Sequence, residues 1–119
     1  MPSGILLSPV AALAEYVPLT TVEVELFSLD TRFTLLLILQ VTNTSLVART
    51  MQTRIYGRLS YLFPWALLDA GVGLTQPPNL PTGGTSVTRV VVQGIGEVRV
   101  NCRVTTGTGR VSFIARKTS

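Results

Sequence analysis

The chain has 119 residues, of which 46% are hydrophobic and only 13% are charged, whereas a typical soluble domain is about 25% charged. This length suits one domain with a modest core. The sequence has no histidine and one cysteine, Cys102, which excludes an internal disulfide and a Cys/His metal cluster. Because few charges are available to cover the surface, we expect an exposed apolar patch of the kind that marks an interface. The alternative is a compact monomer covered by neutral Thr and Ser.

Residues 1–18 are predicted to form an N-terminal arm. Ser8 followed by Pro9 is typical of a helix start, and the residues from Val10 onward predict a short apolar helix that ends near Tyr16. The segment from Ile5 to Ala14 is apolar, but it has no Lys or Arg before it and is interrupted by Pro9. We therefore expect no secretory signal peptide and no transmembrane helix. Such an arm docks in a groove, either of its own domain or of a neighbour.

Residues 19–119 are predicted to form a single β-domain. Its first strand alternates Val24 and Leu26 with Glu23 and Glu25, a pattern typical of a half-buried strand.

The next segment, residues 33–41, is apolar on both faces of an extended strand. Phe33, Leu35 and Leu37 point one way, and Leu36 and Ile38 point the other. A strand of this kind lies in the middle of a two-layer protein or under a neighbouring subunit. A buried helix is the alternative for such a short run, but the β-branched residues on both sides favour a strand.

A third strand is predicted over residues 49–59, followed by a long apolar loop over residues 60–84. Pro64 and Gly71 are placed to begin and end one or two helical turns, and a proline-rich stretch follows. The loop contains Trp65, the single tryptophan, and Trp is enriched at interface anchor points. The loop therefore either clasps a neighbouring subunit or folds over an open end of its own domain.

The last third has the cleanest alternation of apolar and polar residues. Val98, Val100, Cys102 and Val104 are predicted to face inward on one strand, and Val111, Phe113 and Ala115 on the next. Residues 105–109, which include two glycines, predict a hairpin turn between these strands. In all, about six or seven strands at roughly 10-residue spacing predict an all-β fold, a small antiparallel β-sandwich or barrel.

The side chains needed for catalysis are scarce. There is no His to act as a base, and Cys102 has no His to activate it, so it is expected to be a small buried hydrophobe. Glu23 and Glu25 share a strand face, but an outward pair that keeps the strand soluble explains them better than paired-carboxylate chemistry. We therefore expect no enzyme activity, no cofactor and no small-molecule substrate.

Arginine is the dominant basic residue, and it recurs on the outward faces of the predicted strands. The residues predicted to form a face for a polyanion or an acidic partner are Arg54, Arg58, Arg99, Arg103, Arg110 and Arg116. The last four are expected to share one face of the C-terminal hairpin. That face is expected to lack the aromatic residues on which single strands stack. The alternative is that these arginines pair with carboxylates such as Glu23, Glu25 and Glu97.

A second group of residues, the apolar side chains of the arm and the long loop, is predicted to form a subunit interface. Its members are Ile5, Leu6, Leu7, Val10, Leu13, Tyr61, Phe63, Trp65, Leu67 and Leu68. The chain is a short β-rich domain with an extended arm, low charge and no set of catalytic residues. In general style it resembles the capsid decoration (cement) proteins and small head or tail structural proteins of tailed bacteriophages. The resemblance implies a virion component, assembled in the host cytoplasm, that binds copies of itself, a larger shell protein or both.

A nucleic-acid-binding β-domain that uses the arginine faces is the alternative function. A carbohydrate-binding sandwich is disfavoured because the sequence offers no exposed row of aromatic residues. We expect no binding to membranes.

Overall fold

The computed structural model describes residues 10–68 and 79–118, which form nine β-strands in two antiparallel sheets packed as a sandwich. The strands are β1 Val10–Leu19, β2 Val24–Asp30, β3 Leu36–Asn43, β4 Arg49–Arg58, β5 Ala66–Leu67, β6 Asn79–Leu80, β7 Thr85–Val91, β8 Glu97–Val104 and β9 Gly109–Thr118. Sheet A has the order β1-β9-β3-β7, and sheet B has the order β2-β8-β4-β5, with β6 pairing with the start of β4. The predicted all-β sandwich is confirmed, with somewhat more strands than expected.

The core lies between the two sheets and is made of the side chains that the alternation predicted. Val98, Val100 and Cys102 of β8 are fully buried, as are Val111 and Ala115 of β9. Full burial of a Val-sized or larger apolar side chain contributes roughly 1.5–3 kcal/mol relative to exposure. The strict alternation in β8 and β9 is therefore what places these two strands at the centre of their sheets.

The apolar run at residues 33–41 forms β3, but the strand begins three residues later than predicted. Leu37 and Leu39 are buried in the core, whereas Phe33 is 91% exposed. The reason is a turn in which the amide of Thr34 donates to the carbonyl of Thr31, 3.1 Å away. Thr31 is itself buried and donates its hydroxyl to the carbonyl of Ile95 at 2.7 Å, which fixes the turn and leaves Phe33 at its outer position.

The helix predicted from Val10 to Tyr16 is wrong, because these residues form strand β1 at one edge of sheet A. β1 pairs antiparallel with β9, with two shifts of register, and Tyr16 at the second shift has a φ of 52°. The side chains of Ala12 and Ala14 pack against the core. Backbone pairing with β9 and this burial outweigh the local helix-start signal. Residues 1–9 of the predicted arm lie outside the described residues.

The hairpin predicted at residues 105–109 is also wrong. β8 pairs with β2 and β4, whereas β9 pairs with β1 and β3, so the connection crosses from sheet B to sheet A. Gly107 has a φ of 70° in this connection, so glycine is favoured here as it would be in a hairpin turn. A turn signal of this kind predicts a reversal of the chain, but it does not indicate which sheet the next strand joins.

Residues 60–68, the first described part of the long loop, contain no helix, so the predicted helical turns are wrong there. Its end forms β5, which pairs with β4 through Gly57 and Ala66, and the amide of Leu68 donates to the carbonyl of Ile55 at 2.9 Å. These bonds lay the segment along the edge of sheet B. Residues 69–78 lie outside the described part. Within residues 10–68 and 79–118, no helix has the length and apolar character needed to span a membrane.

Candidate interaction surfaces

The outer face of sheet B gathers four of the six predicted arginines. β4 and β8 are neighbours, and their register places Arg54 opposite Asn101 and Arg58 opposite Glu97. Arg99 and Arg103 project from β8 on the same side. We call the set Arg54, Arg58, Arg99 and Arg103 the arginine face.

Three arginines of this face have a carboxylate within ion-pair distance. Arg58 lies 3.2 Å from Glu97, Arg54 lies 3.6 Å from Glu23, and Arg99 lies 3.8 Å from Glu25. The alternative interpretation, in which the arginines pair with these carboxylates, therefore holds within the chain for Arg54, Arg58 and Arg99. Arg103 is different, because its Nε donates to the neutral side chain of Gln52. Most of the positive charge on this face is thus neutralised locally.

Glu23 is the centre of the polar network on this face. The hydroxyl of Tyr56 and the amide of Asn101 both donate to Oε1 of Glu23, at 2.6 and 2.7 Å. Burial raises the pKa of the Glu23 carboxyl, but these two hydrogen bonds and the charges of Arg54 and Arg99 outweigh burial and hold the pKa below its ordinary value. The bond to Glu23, together with burial, raises the pKa of Tyr56. The network therefore favours an ionised Glu23 and a neutral Tyr56.

Trp65 packs over the arginine face of its own chain. The guanidinium of Arg58 lies 4.1 Å from the centre of the Trp65 ring, and that of Arg99 lies 5.1 Å from it. Arg99 also lies 5.0 Å from the ring of Tyr56. The expectation that this face lacks aromatic residues is therefore wrong, although both rings are already covered by guanidinium groups. Each contact is a cation–π interaction worth about 0.5–1 kcal/mol at exposed sites.

Arg110 and Arg116, the other two predicted arginines, lie on the opposite side of the molecule. They belong to β9 and project from the outer face of sheet A, because β9 alternates them with the buried Val111 and Ala115. The prediction that they share a face with Arg99 and Arg103 is wrong, since β8 and β9 lie in different sheets. The predicted six-residue face is therefore split between two surfaces.

The outer face of sheet A carries more apolar side chains than that of sheet B, although Arg89, Arg110 and Arg116 also project from it. The antiparallel registers place Leu13 beside Ile114, Ile114 beside Gln40, and Gln40 beside Val87, in one row across four strands. The next row on this face contains Arg116, Ile38 and Arg89, and the row beyond it pairs Leu36 with Val91. We call this the apolar face, and its members are Val10, Leu13, Leu36, Ile38, Val87, Val91 and Ile114.

Several side chains of the apolar face are well exposed. Leu13 is 52% exposed, Val87 is 59% exposed and Val91 is 58% exposed. An antiparallel sheet that faces water normally carries polar residues on that side. Exposed apolar side chains grouped in this way, although the row with Arg89 and Arg116 interrupts them, are typical of a surface that another protein covers.

A second exposed apolar region follows β4, at one end of the sandwich. Tyr61, Phe63 and Leu67 are 75%, 54% and 56% exposed. Leu68, in contrast, packs against the core. A shallow apolar pocket of about 370 Å³ opens between this segment and β4. In the first described part of the loop, residues 60–68, some residues therefore fold onto their own domain and others remain exposed.

The ten residues of the predicted subunit interface are only partly brought together. Val10 and Leu13 lie on the apolar face, whereas the loop residues lie beside β4 and β5 of the other sheet. Ile5, Leu6 and Leu7 lie outside the described residues. The prediction missed Val87 and Val91. The sequence does contain a signal for them, because β7 carries apolar residues on both of its faces. The strand prediction for residues 33–41 also included Phe33, which instead lies in the exposed turn that precedes β3.

The single cysteine has the environment of a core residue. Cys102 is fully buried, and burial raises the pKa of its thiol to about 11. A thiol with such a raised pKa is a poor nucleophile at neutral pH. Within the described residues, no group of three or more Cys, Asp or Glu side chains is placed to hold a metal ion.

Comparison with known proteins shows the fold. No protein-family model matches the chain, and no curated protein sequence matches it. A structure of infectious bursal disease virus, Gx strain, matches 92% of this chain with a TM-score of 0.57 and 12% identity, and a VP2 subviral particle of the same virus matches 92% with a TM-score of 0.53 and 13% identity. The chain spans 30% and 31% of the length of those two viral chains.

A bacterial domain has the same architecture. The CBM22-1 xylan-binding domain from Xyn10C of Paenibacillus barcinonensis matches 92% of this chain, and the match covers 95% of that domain, with a TM-score of 0.51 and 7% identity. At these identities the common property of all three matches is the β-sandwich fold, which different proteins use for unrelated functions. The function therefore has to be inferred from the surfaces of this chain.

Proposed function

We propose that this protein is a non-enzymatic structural subunit of a virion, which assembles by covering its exposed apolar surfaces with neighbouring subunits. The more specific form of the proposal is a bacteriophage capsid decoration protein or a small head or tail structural protein. In this role the β-sandwich is a rigid building block. Contacts with other copies, with a larger shell protein or with both then provide the function.

The observation that carries the proposal is the difference between the outer faces of the two sheets. Sheet B has a polar outer face of ion pairs and hydrogen bonds, which suits contact with water. Sheet A has an outer face on which the apolar residues Leu13, Val87 and Val91 are all more than half exposed, with Arg89 and Arg116 in the row between them. Since both faces belong to one small domain, low overall charge alone does not explain the apolar face. Covering it with another subunit does.

The similarity in fold to the bursal disease virus structures supports the proposal but does not carry it. A β-sandwich of this topology is used in that viral particle. The xylan-binding domain with a similar fold makes a second function worth considering. However, Trp65 and Tyr56, the aromatic residues on the outer face of sheet B, are stacked against Arg58 and Arg99 rather than open to a sugar ring.

The nucleic-acid alternative receives less support from the arginine face than the sequence suggested. Three of its four arginines have a carboxylate partner in the chain, so few charges remain to replace the counterions of a phosphate backbone. Binding that depends on these residues would need the ion pairs to open. We therefore keep assembly as the proposed function.

The proposal is tested by placing a charge in the apolar face. Leu13→Glu buries a carboxylate in the proposed contact and should lower the average mass in solution, measured by sedimentation velocity over a range of concentrations. The matched control is Leu46→Glu, which makes the same change at a leucine that is 91% exposed in a loop away from this face. If both variants sediment like the wild type, the apolar face is not an assembly contact.

A further inference from the structure

The open edge of sheet A, strand β7, differs from the other sheet edges in the described part of the molecule. β1 and β2 each have shifts of register, and β1 also contains Pro18. The remaining edge of sheet B consists of β5 and β6, which have two residues each. Bulges, prolines and very short strands are the usual means by which proteins prevent edge strands from pairing with other chains.

β7 has none of these protective features. It pairs with β3 over seven consecutive residues, from Thr85 to Val91, without a shift of register. It contains no proline and one charged residue, Arg89. A regular edge strand of this length is a template on which another strand can add.

The hydrogen bonds of β3 show which groups of β7 remain available. The amide of Asn43 donates to the carbonyl of Gly84, and the amide of Val92 donates to the carbonyl of Leu35. Because bonded and non-bonded residues alternate in an antiparallel pair, Ser86, Thr88 and Val90 of β7 bond to β3. The backbone N–H and C=O groups of the odd-numbered residues, Thr85, Val87, Arg89 and Val91, are therefore directed away from the sheet.

We propose that β7 pairs antiparallel with β7 of a second copy, which joins the two A sheets into one continuous sheet. This inference deepens the proposed function, on which it rests, by naming one contact of the assembly. The partner is the same strand of another copy because the sequence of β7 is complementary to itself. A two-fold axis through Thr88 pairs all seven residues of the strand with the seven of the partner copy.

This register satisfies both backbone and side chains. Thr85 lies opposite Val91 of the second copy, and Val87 lies opposite its Arg89, so each pair can exchange two backbone hydrogen bonds. Thr88 meets its own equivalent on the axis, where Thr–Thr pairs are favourable. Shifting the axis to Arg89 would place like charges opposite each other, and shifting it to Val87 would leave Val91 without a strand partner. The full-length register is therefore the preferred one.

The test isolates this contact from the rest of the assembly. Leu13 lies on β1, at the opposite edge of sheet A from β7, so the Leu13→Glu variant should retain the edge contact and sediment as a dimer. In that background, Val87→Pro removes one outward-directed N–H donor and leaves the β3 hydrogen bonds intact. We expect it to raise the dimer dissociation constant by more than about tenfold. Val87→Thr, which keeps the backbone donor, should leave the dimer in place.

Hydrogen exchange on the unmutated chain gives an independent readout. The amides of Val87 and Arg89 should exchange more slowly as protein concentration rises, whereas those of Thr88 and Val90 should be protected at every concentration. A monomeric Leu13→Glu variant, or a dimer that survives Val87→Pro, would overturn the β7 contact and leave the proposed function standing. Equal loss of the dimer with Val87→Thr would also overturn it. A wild-type chain that stays monomeric at all concentrations would overturn both proposals.

Discussion

The hydroxyl of Tyr56 on β4 donates a hydrogen bond of 2.6 Å to Glu23, which immediately precedes β2. β8 lies between these two strands, and Asn101 of β8 donates to the same carboxylate oxygen at 2.7 Å. A single carboxylate thus links three adjacent strands across the outer face of sheet B. This arrangement stabilises the sandwich and keeps the face polar.

Removal of the Tyr56 hydroxyl is expected to destabilise the fold. Tyr56→Phe deletes one donor to a charged acceptor and should lower the free energy of unfolding by about 1–2 kcal/mol. Tyr61→Phe is the matched control, because Tyr61 is 75% exposed and its loss of a hydroxyl should have little effect. Urea denaturation measures both, and equal stabilities for the two variants would show that the bond to Glu23 contributes nothing.

The same network predicts how stability depends on acid. The pKa of Glu23 is held below its ordinary value of 4.5 in the folded protein. The ionised carboxylate therefore stabilises the fold above about pH 4.5, and this contribution is lost as the pH falls through the lower folded-state pKa. Glu23→Gln should lose less stability than the wild type over this interval. Thermal unfolding at a series of pH values tests this, and parallel curves for the two proteins would contradict it.

Trp65 is expected to stabilise its own domain. Trp65→Ala removes the contacts with Arg58 and Arg99 and should cost about 1–2 kcal/mol, the sum of two cation–π contacts. It should leave the average mass in solution unchanged, since these contacts lie within one chain. Leu62→Ala serves as the control for an exposed apolar residue of the same segment. A variant with wild-type stability but reduced mass would instead place Trp65 in a contact between subunits.

Among the glycines of the described turns, Gly96 is predicted to lose the most stability when it is replaced by alanine. A Cβ atom at this position would overlap the carbonyl oxygen of Leu59, so Gly96→Ala requires the backbone to move. Gly94→Ala provides the comparison, because Gly94 has a φ of 84° but open space around it, and its cost should be about 1–2 kcal/mol. Guanidinium denaturation should show a larger loss for Gly96→Ala. A smaller loss would mean that the β7–β8 connection adapts easily.

The N-terminal arm is predicted to act in assembly. Ala12 and Ala14 pack against the core as part of β1, so a deletion that spares the sandwich must stop at residue 9. Deletion of residues 1–9, which removes Ile5, Leu6 and Leu7, should leave the thermal unfolding transition intact and stop assembly at a dimer. Sedimentation velocity measures the second effect. Full-size assemblies from the truncated chain would exclude the arm as a clasp.

Sequence patterns predicted the fold best where the side chains alternate strictly. In β8 and β9, every inward position predicted from the alternation is buried, because valine at alternate positions satisfies both strand propensity and burial. β1 was predicted as a helix because Ser8 and Pro9 provide a local helix signal. The hydrogen-bonding partner that overrides it, β9, lies about 100 residues away in the sequence.

The surfaces were harder to predict for a physical reason. Alternation identifies the outward face of each strand but does not state which strands share a sheet, and Arg99 and Arg116 were separated for that reason. The contact of Trp65 with Arg58 likewise depends on how the loop folds back along β4. Pairing with Glu23, Glu25 and Glu97 was the alternative interpretation of the sequence. It holds for Arg54, Arg58 and Arg99 because β2, β8 and β4 are neighbours in sheet B.

Average mass in solution, measured by light scattering on the full chain over a range of concentrations and at low and high salt, shows whether the chain assembles. We predict a species larger than a single chain at both salt concentrations, because the proposed contacts are apolar side chains and backbone hydrogen bonds rather than exposed ion pairs. A monomer at every concentration and both salt concentrations would contradict this prediction.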